Sequence, residues 1–162
     1  ENESFLAVSQ GEKGLVLFGF GKGDLLKPRL VESLDFDEYI SVLAAGDGYI
    51  CVVTGDTLTV IGINPFGDAR NLTKISEVSL EGSGAEVAVK NGIAAVAIWE
   101  KGVQVIDVRD PQNPASLGAV DTPGRARDVA IQVRGNNYYV FVADDRDDLQ
   151  IIELQPVNHA AG

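Results

Sequence analysis

The sequence predicts an all-β chain built from β-propeller blades, each a sheet of four antiparallel strands. Three observations predict it. A short β-branched run recurs four times, as "LVLFGF" from Leu15, "LTVIGI" from Leu58, "VQVIDV" from Val103 and "LQIIEL" from Leu149, at intervals of 43, 45 and 46 residues. A self-similar period in the forties, carried by short strands, belongs to propeller blades and not to helical solenoids. Runs of Val, Ile, Leu and Tyr are broken by Gly, Asp, Asn and Pro, and no sustained helical period occurs.

The third copy shows the strands most clearly. "EVAVK" at 86–90 is its first strand, "NG" at 91–92 a hairpin turn, "IAAVAIW" at 93–99 its second, "EKG" a turn, "VQVIDV" its third, and "ASLGAVDT" its fourth. Asn-Gly supplies the positive φ angles that a two-residue hairpin needs. Pro111 and Pro114 stop the third strand because proline has no N–H for the ladder, while Asp110 and Asn113 offer acceptors to the turn backbone. In "DTPGRARDV", Pro123-Gly124 fits the centre of a type II turn, and the cycle restarts at "DVAIQV". Earlier restarts fall at "SVLAA" and "EVAVK", with "GDG" at 46–48 as the second copy's hairpin. "SFLAVSQ" lies about ten residues before Leu15, as "IAAVAIW" lies before Val103, so it reads as a second strand. The blades therefore fall at approximately 1–40, 41–85, 86–127 and 128–162 of a single partial propeller.

Composition sets the bounds on function. With 45% hydrophobic and 23% charged residues the chain is a globular one, and its net charge of −11 repels phosphate backbones, which excludes nucleic acid as the main partner. No apolar run approaches the roughly 20 residues that cross a bilayer. The absence of a signal sequence and of an initiator Met at Glu1 fits a processed or excised piece. The single cysteine, Cys51, lies within "YICVV" and reads as a small buried hydrophobe.

The residues "VQVIDVRDPQNP", "DTPG", "DVAIQV" and "YYVFVADD" resemble the LVIVD-repeat family of β-propeller proteins. The resemblance covers about residues 86 to 154; the first eighty share its period alone. It implies a secreted or surface-exposed location and no common catalytic set. It also implies a ring of roughly six to eight blades. This chain has four third strands, begins with a second strand and ends after a third, so its ends are expected to meet a partner copy or other polypeptide.

Candidate sites follow from the loops. Asp144, Asp145, Asp147 and Asp148 supply hard oxygen ligands in one turn, suited to calcium, against the alternative of a solvated hairpin tip. Arg125 and Arg127 lie in the blade-crossing loop, which in propellers shares a face with that turn, so they either pair with those carboxylates or receive an acidic partner group. Trp99 should reach the same face, and the three together form the expected protein-binding surface. His159, the one histidine, lies in the tail, which makes Ser-His-Asp, Cys-His and zinc chemistry improbable. "GFGKGD" at 19–24 is a turn, since a proline-bearing stretch follows where a phosphate loop needs a helix. Asn2 and Asn71 fit the glycosylation pattern. The expected function is a non-catalytic interaction or cell-surface scaffold with no cofactor beyond possible calcium. The alternative is part of a propeller enzyme whose catalytic residues lie outside this chain.

Overall fold

A computed structural model of the chain describes residues 4–21, 24–63 and 72–155. Asn2, Asn71 and His159 lie outside the described residues. All regular structure among those described is strand, apart from one 3-10 turn at Gly11–Lys13.

Four antiparallel sheets follow one another along the chain. The first holds β1 (Ser4–Ser9), β2 (Leu15–Gly21) and β3 (Asp24–Leu34), in that order. The second runs β4 (Val42–Ala45), β5 (Tyr49–Thr54), β6 (Thr57–Ile63), β7 (Leu72–Ser79). The third repeats this meander with β8 (Glu86–Lys90), β9 (Ile93–Ala97), β10 (Val103–Asp107) and β11 (Ala115–Val120). The fourth comprises β12 (Ala126–Arg134), β13 (Asn137–Asp144) and β14 (Asp148–Leu154). The four recurrent runs are thus β2, β6, β10 and β14, the third strands of successive blades. β1 is a second strand, as its spacing predicts, and the first strand β8 packs beside both β4 and β12.

Alternation along each strand creates the packing, because successive side chains point to opposite faces and each inner sheet is covered on both. Leu15 and Leu17 meet Ile50, Val52 and Ile61 between the first two sheets. Cys51, Leu58 and Val60 meet Val87, Ala94 and Ile106 between the second and third. Val103 and Val105 meet Val129, Val140 and Val142 between the third and fourth. Being buried on both faces explains why β5 and β9 read as unbroken apolar runs.

Turn chemistry matches the sequence reading in most places. Asn91 and Gly92 both have positive φ, 47° and 75°, as a tight hairpin requires. Asp110 Oδ1 accepts the Gln112 amide at 3.0 Å. Asn113 reverses its expected role, since its side-chain nitrogen donates to Asp110 Oδ2 at 2.9 Å. Pro123-Gly124 also departs from expectation: Gly124 is not among the positive-φ glycines, so no type II turn forms. Glycine is needed there for space, because a Cβ would collide with Asp144 Oδ1. The fourth sheet starts at Ala126, two residues before the predicted restart. The chain after Gly21 re-enters the sheet at Asp24, opposite Gly21, and Pro28 lies within β3 where a phosphate loop would have a helix.

Candidate functional site

Trp99 follows β9 and the buried Ile98 in the turn leading to β10. Its carbonyl accepts the amides of Gly102 at 3.1 Å and Ala126 at 3.0 Å, which bridges the third sheet to the first residue of β12. The residue has φ 50°, a left-handed conformation uncommon for a bulky side chain. Arg127, one residue into β12, lays its guanidinium over the indole, 5.3 Å from the ring centroid. The same guanidinium pairs with Asp145 in a two-pronged contact, with Nη2 2.9 Å from Oδ2 and Nε bonded to Oδ1. This fork geometry matches the carboxylate plane and leaves the cation's face to the ring.

The other predicted residues divide. Arg125 pairs with Glu100, Nε to Oε1 2.9 Å, and both are largely exposed. Glu100 went unremarked in the sequence because the contact joins two loops. Asp144 is buried and serves the loop itself: Oδ2 accepts the Gly124 amide at 3.1 Å, and Oδ1 accepts Arg146 at 2.9 Å and Asp147 at 3.3 Å. Desolvation raises its pKa, but hydrogen bonding, led by the Arg146 amide and joined by Thr122 and the other loop amides, outweighs burial and holds the carboxyl below the usual 3.8. Asp145 is lowered too, chiefly by its hydrogen bond from Arg127. Asp147 and Asp148 are exposed, and Asp148, at φ 54°, opens β14. The four carboxylates therefore split between a loop brace, an ion pair and solvent. Among the described residues, no three His, Cys, Asp or Glu side chains are grouped to hold a metal ion.

The opposite ends of the sheets bear a cleft of about 640 Å³ between the second and third sheets, lined by Asp47, Tyr49, Lys90, Asn91, Arg109 and Pro111. Arg109 pairs with Asp107, Nε to Oδ1 2.9 Å. The Tyr49 hydroxyl is buried without a hydrogen-bond partner, and desolvation raises its pKa to about 12. Burial likewise pushes the Cys51 thiol up to about 12. Neither group ionises near neutral pH, so neither is an activated nucleophile.

The comparisons with known proteins agree with this architecture. No curated protein matches the chain. Among solved structures, the crystal structure of the computationally designed Ika4 protein superposes with a TM-score of 0.61 at 15% identity, covering 96% of this chain and 87% of that one. At that identity the likeness concerns the fold alone. The LVIVD repeat matches residues 81–122 and again 123–154. The second match opens in the crossing that carries Arg125, runs through Arg127 in β12 and closes with β14. Residues 81–154 of this chain thus carry two LVIVD repeats, the stretch on which the sequence resemblance rests.

Proposed function

We propose that the chain is a non-catalytic propeller module, secreted or displayed at a cell surface, that binds a protein partner through the face carrying Trp99, Arg125 and Arg127. The observation that carries this reading is the Arg127 guanidinium set between the Trp99 ring and Asp145. A flat aromatic edged by a preorganised cation loses little side-chain freedom on binding, which is why Trp and Arg dominate interface energetics. Arg125 adds a second cation whose Glu100 partner is exposed and screened, so an acidic partner group can displace it at low cost. The surface location rests on the family resemblance.

The test uses the immobilised chain and its Trp99→Ala, Arg125→Ala and Arg127→Ala variants, presented with the source cells' surface and secreted proteins. The expected result is one protein retained by the parent and lost from each variant, with little change in their Tm. Equal retention by all four, or a large fall in Tm with each substitution, overturns the reading.

A further inference from the structure

Three tyrosines follow the first hairpin turn of a blade, and two of them have partners for their hydroxyls. Tyr138 donates to the Asn91 carbonyl at 3.3 Å and Tyr139 to Glu153 Oε1 at 3.2 Å. Tyr49, which opens β5, is 5% exposed, and its hydroxyl meets no partner among the described residues. A buried hydroxyl left unsatisfied destabilises the fold that holds it, so its presence calls for a use.

Tyr49 lines the cleft between the second and third sheets, whose volume of about 640 Å³ falls within the range of small-ligand sites. The β4–β5 hairpin contributes Asp47 and Tyr49, the β8–β9 hairpin Lys90 and Asn91, and the chain after β10 Arg109. Glycines make room for two of these side chains. A Cβ at Gly46 would collide with the Tyr49 ring, and one at Gly92 with the Arg109 side chain.

Charge in the cleft is balanced. Arg109 is held by Asp107, with Nε 2.9 Å from Oδ1, while Lys90 and Asp47 have no ion-pair partner among the described residues. An ionic ligand would therefore meet a charge of its own sign for each opposite one. The Tyr49 hydroxyl feels the same carboxylates: after burial and Cys51, the charges of Asp47 and Asp107 raise its pKa, so it stays a neutral donor at neutral pH.

We propose that this cleft binds a neutral polyhydroxylated ligand, a sugar of one or two rings, with the Tyr49 hydroxyl donating to it. A sugar hydroxyl both donates and accepts, so one ring can accept from Tyr49, Lys90 and Asn91 while donating to Asp47. Bonds to the two charged groups are the strong ones, and they need no net charge on the ligand. The chain's overall charge of −11 does not repel such a ligand. The site lies at the opposite end of the sheets from Trp99 and shares no residue with that face.

Saturation-transfer NMR of the 162-residue chain tests this with glucose, galactose, mannose, N-acetylglucosamine, maltose and lactose, beside glucuronate and glucosamine as charged counterparts. At least one neutral sugar should bind, and more tightly than either charged one. Tyr49→Phe should weaken it about 3- to 10-fold, the worth of one neutral hydrogen bond. Asp47→Ala and Lys90→Ala should each weaken it about 10- to 100-fold, the worth of a charged one. Both of those residues are exposed, so folding should survive. Phenylalanine at 49 keeps the ring and removes a hydroxyl with no partner in the fold, so that variant should melt at the parent's Tm or above it. A hydroxyl that serves the fold alone would instead lower Tm and leave binding unmoved, which would overturn the proposal. So would no transfer to any neutral sugar, tighter binding of glucuronate or glucosamine, or a Tyr49→Phe chain that binds as the parent does.

Discussion

Replacing Trp99 by glycine should leave a more stable protein than replacing it by alanine, the reverse of the usual order in regular structure. Both substitutions remove the indole and its contact with Arg127, and both keep the carbonyl that accepts the Gly102 and Ala126 amides. They differ at the backbone, where φ is 50°. Holding an L-residue there costs about 1–2 kcal/mol. Glycine avoids that cost but loses about 0.5–1 kcal/mol through its greater freedom in the unfolded chain. The net advantage of Trp99→Gly is about 0.5–1 kcal/mol. In a chain of this size 1 kcal/mol moves Tm by about 2–4 °C, so the gap between variants should be about 1–4 °C. Urea titrations with matched slopes would give the same difference in free energy. An alanine variant as stable as the glycine variant would show that Trp99 is not held in the left-handed region.

Other expectations follow from buried groups. Gln104 is 2% exposed and ties β10 to the preceding crossing, accepting the Glu81 amide at 2.8 Å and donating to the Ser79 carbonyl at 3.3 Å and the Ser116 hydroxyl at 3.2 Å. Gln104→Leu should cost about 2–3 kcal/mol, from three bonds worth about 1 each, and a loss under about 0.5 by urea titration would show that water replaces them. Asp144 and Asp145 have depressed pKa values, so the stability they confer is present above about pH 4 and lost as pH falls through their native values. The penalty of Asp144→Asn, measured by denaturation across pH, should therefore shrink below pH 3.8. Because these carboxylates already serve Arg127 and the loop amides, millimolar calcium should raise Tm no more than magnesium does, and a calcium-selective rise would assign the loop to the metal. Cys51, 0% exposed with its pKa near 12, should react with a maleimide only as fast as the blades open; prompt labelling of the folded chain would contradict that burial.

The blades were legible in the sequence because their signals are local. Period-two alternation, Asn-Gly at 91–92 and the prolines after Val108 act through neighbouring residues, so spacing alone located all four third strands and the part-blade at each end. Pairing of Arg127 with the aspartates of the 144–148 turn was one of two readings the sequence left open; the structure sets Arg127 in β12, not in the crossing, and pairs it with Asp145. Details that depend on contact across the sheets were not legible. Whether Pro123-Gly124 turns as type II was decided by the Asp144 carboxylate pressing against Gly124, twenty residues away in the chain. The fate of the aspartates was decided the same way: in sequence they form one acidic cluster, but folding turns Asp144 inward to the loop amides and Asp145 toward Arg127. The sequence by itself determined the repeat, because hydrophobic period and turn chemistry are written residue by residue. Only the tertiary structure decided which equivalent leucines are core and which are surface: Leu15, Leu58 and Leu149 stand at one position of the repeat, and among the described residues only Leu149 has no sheet beside it.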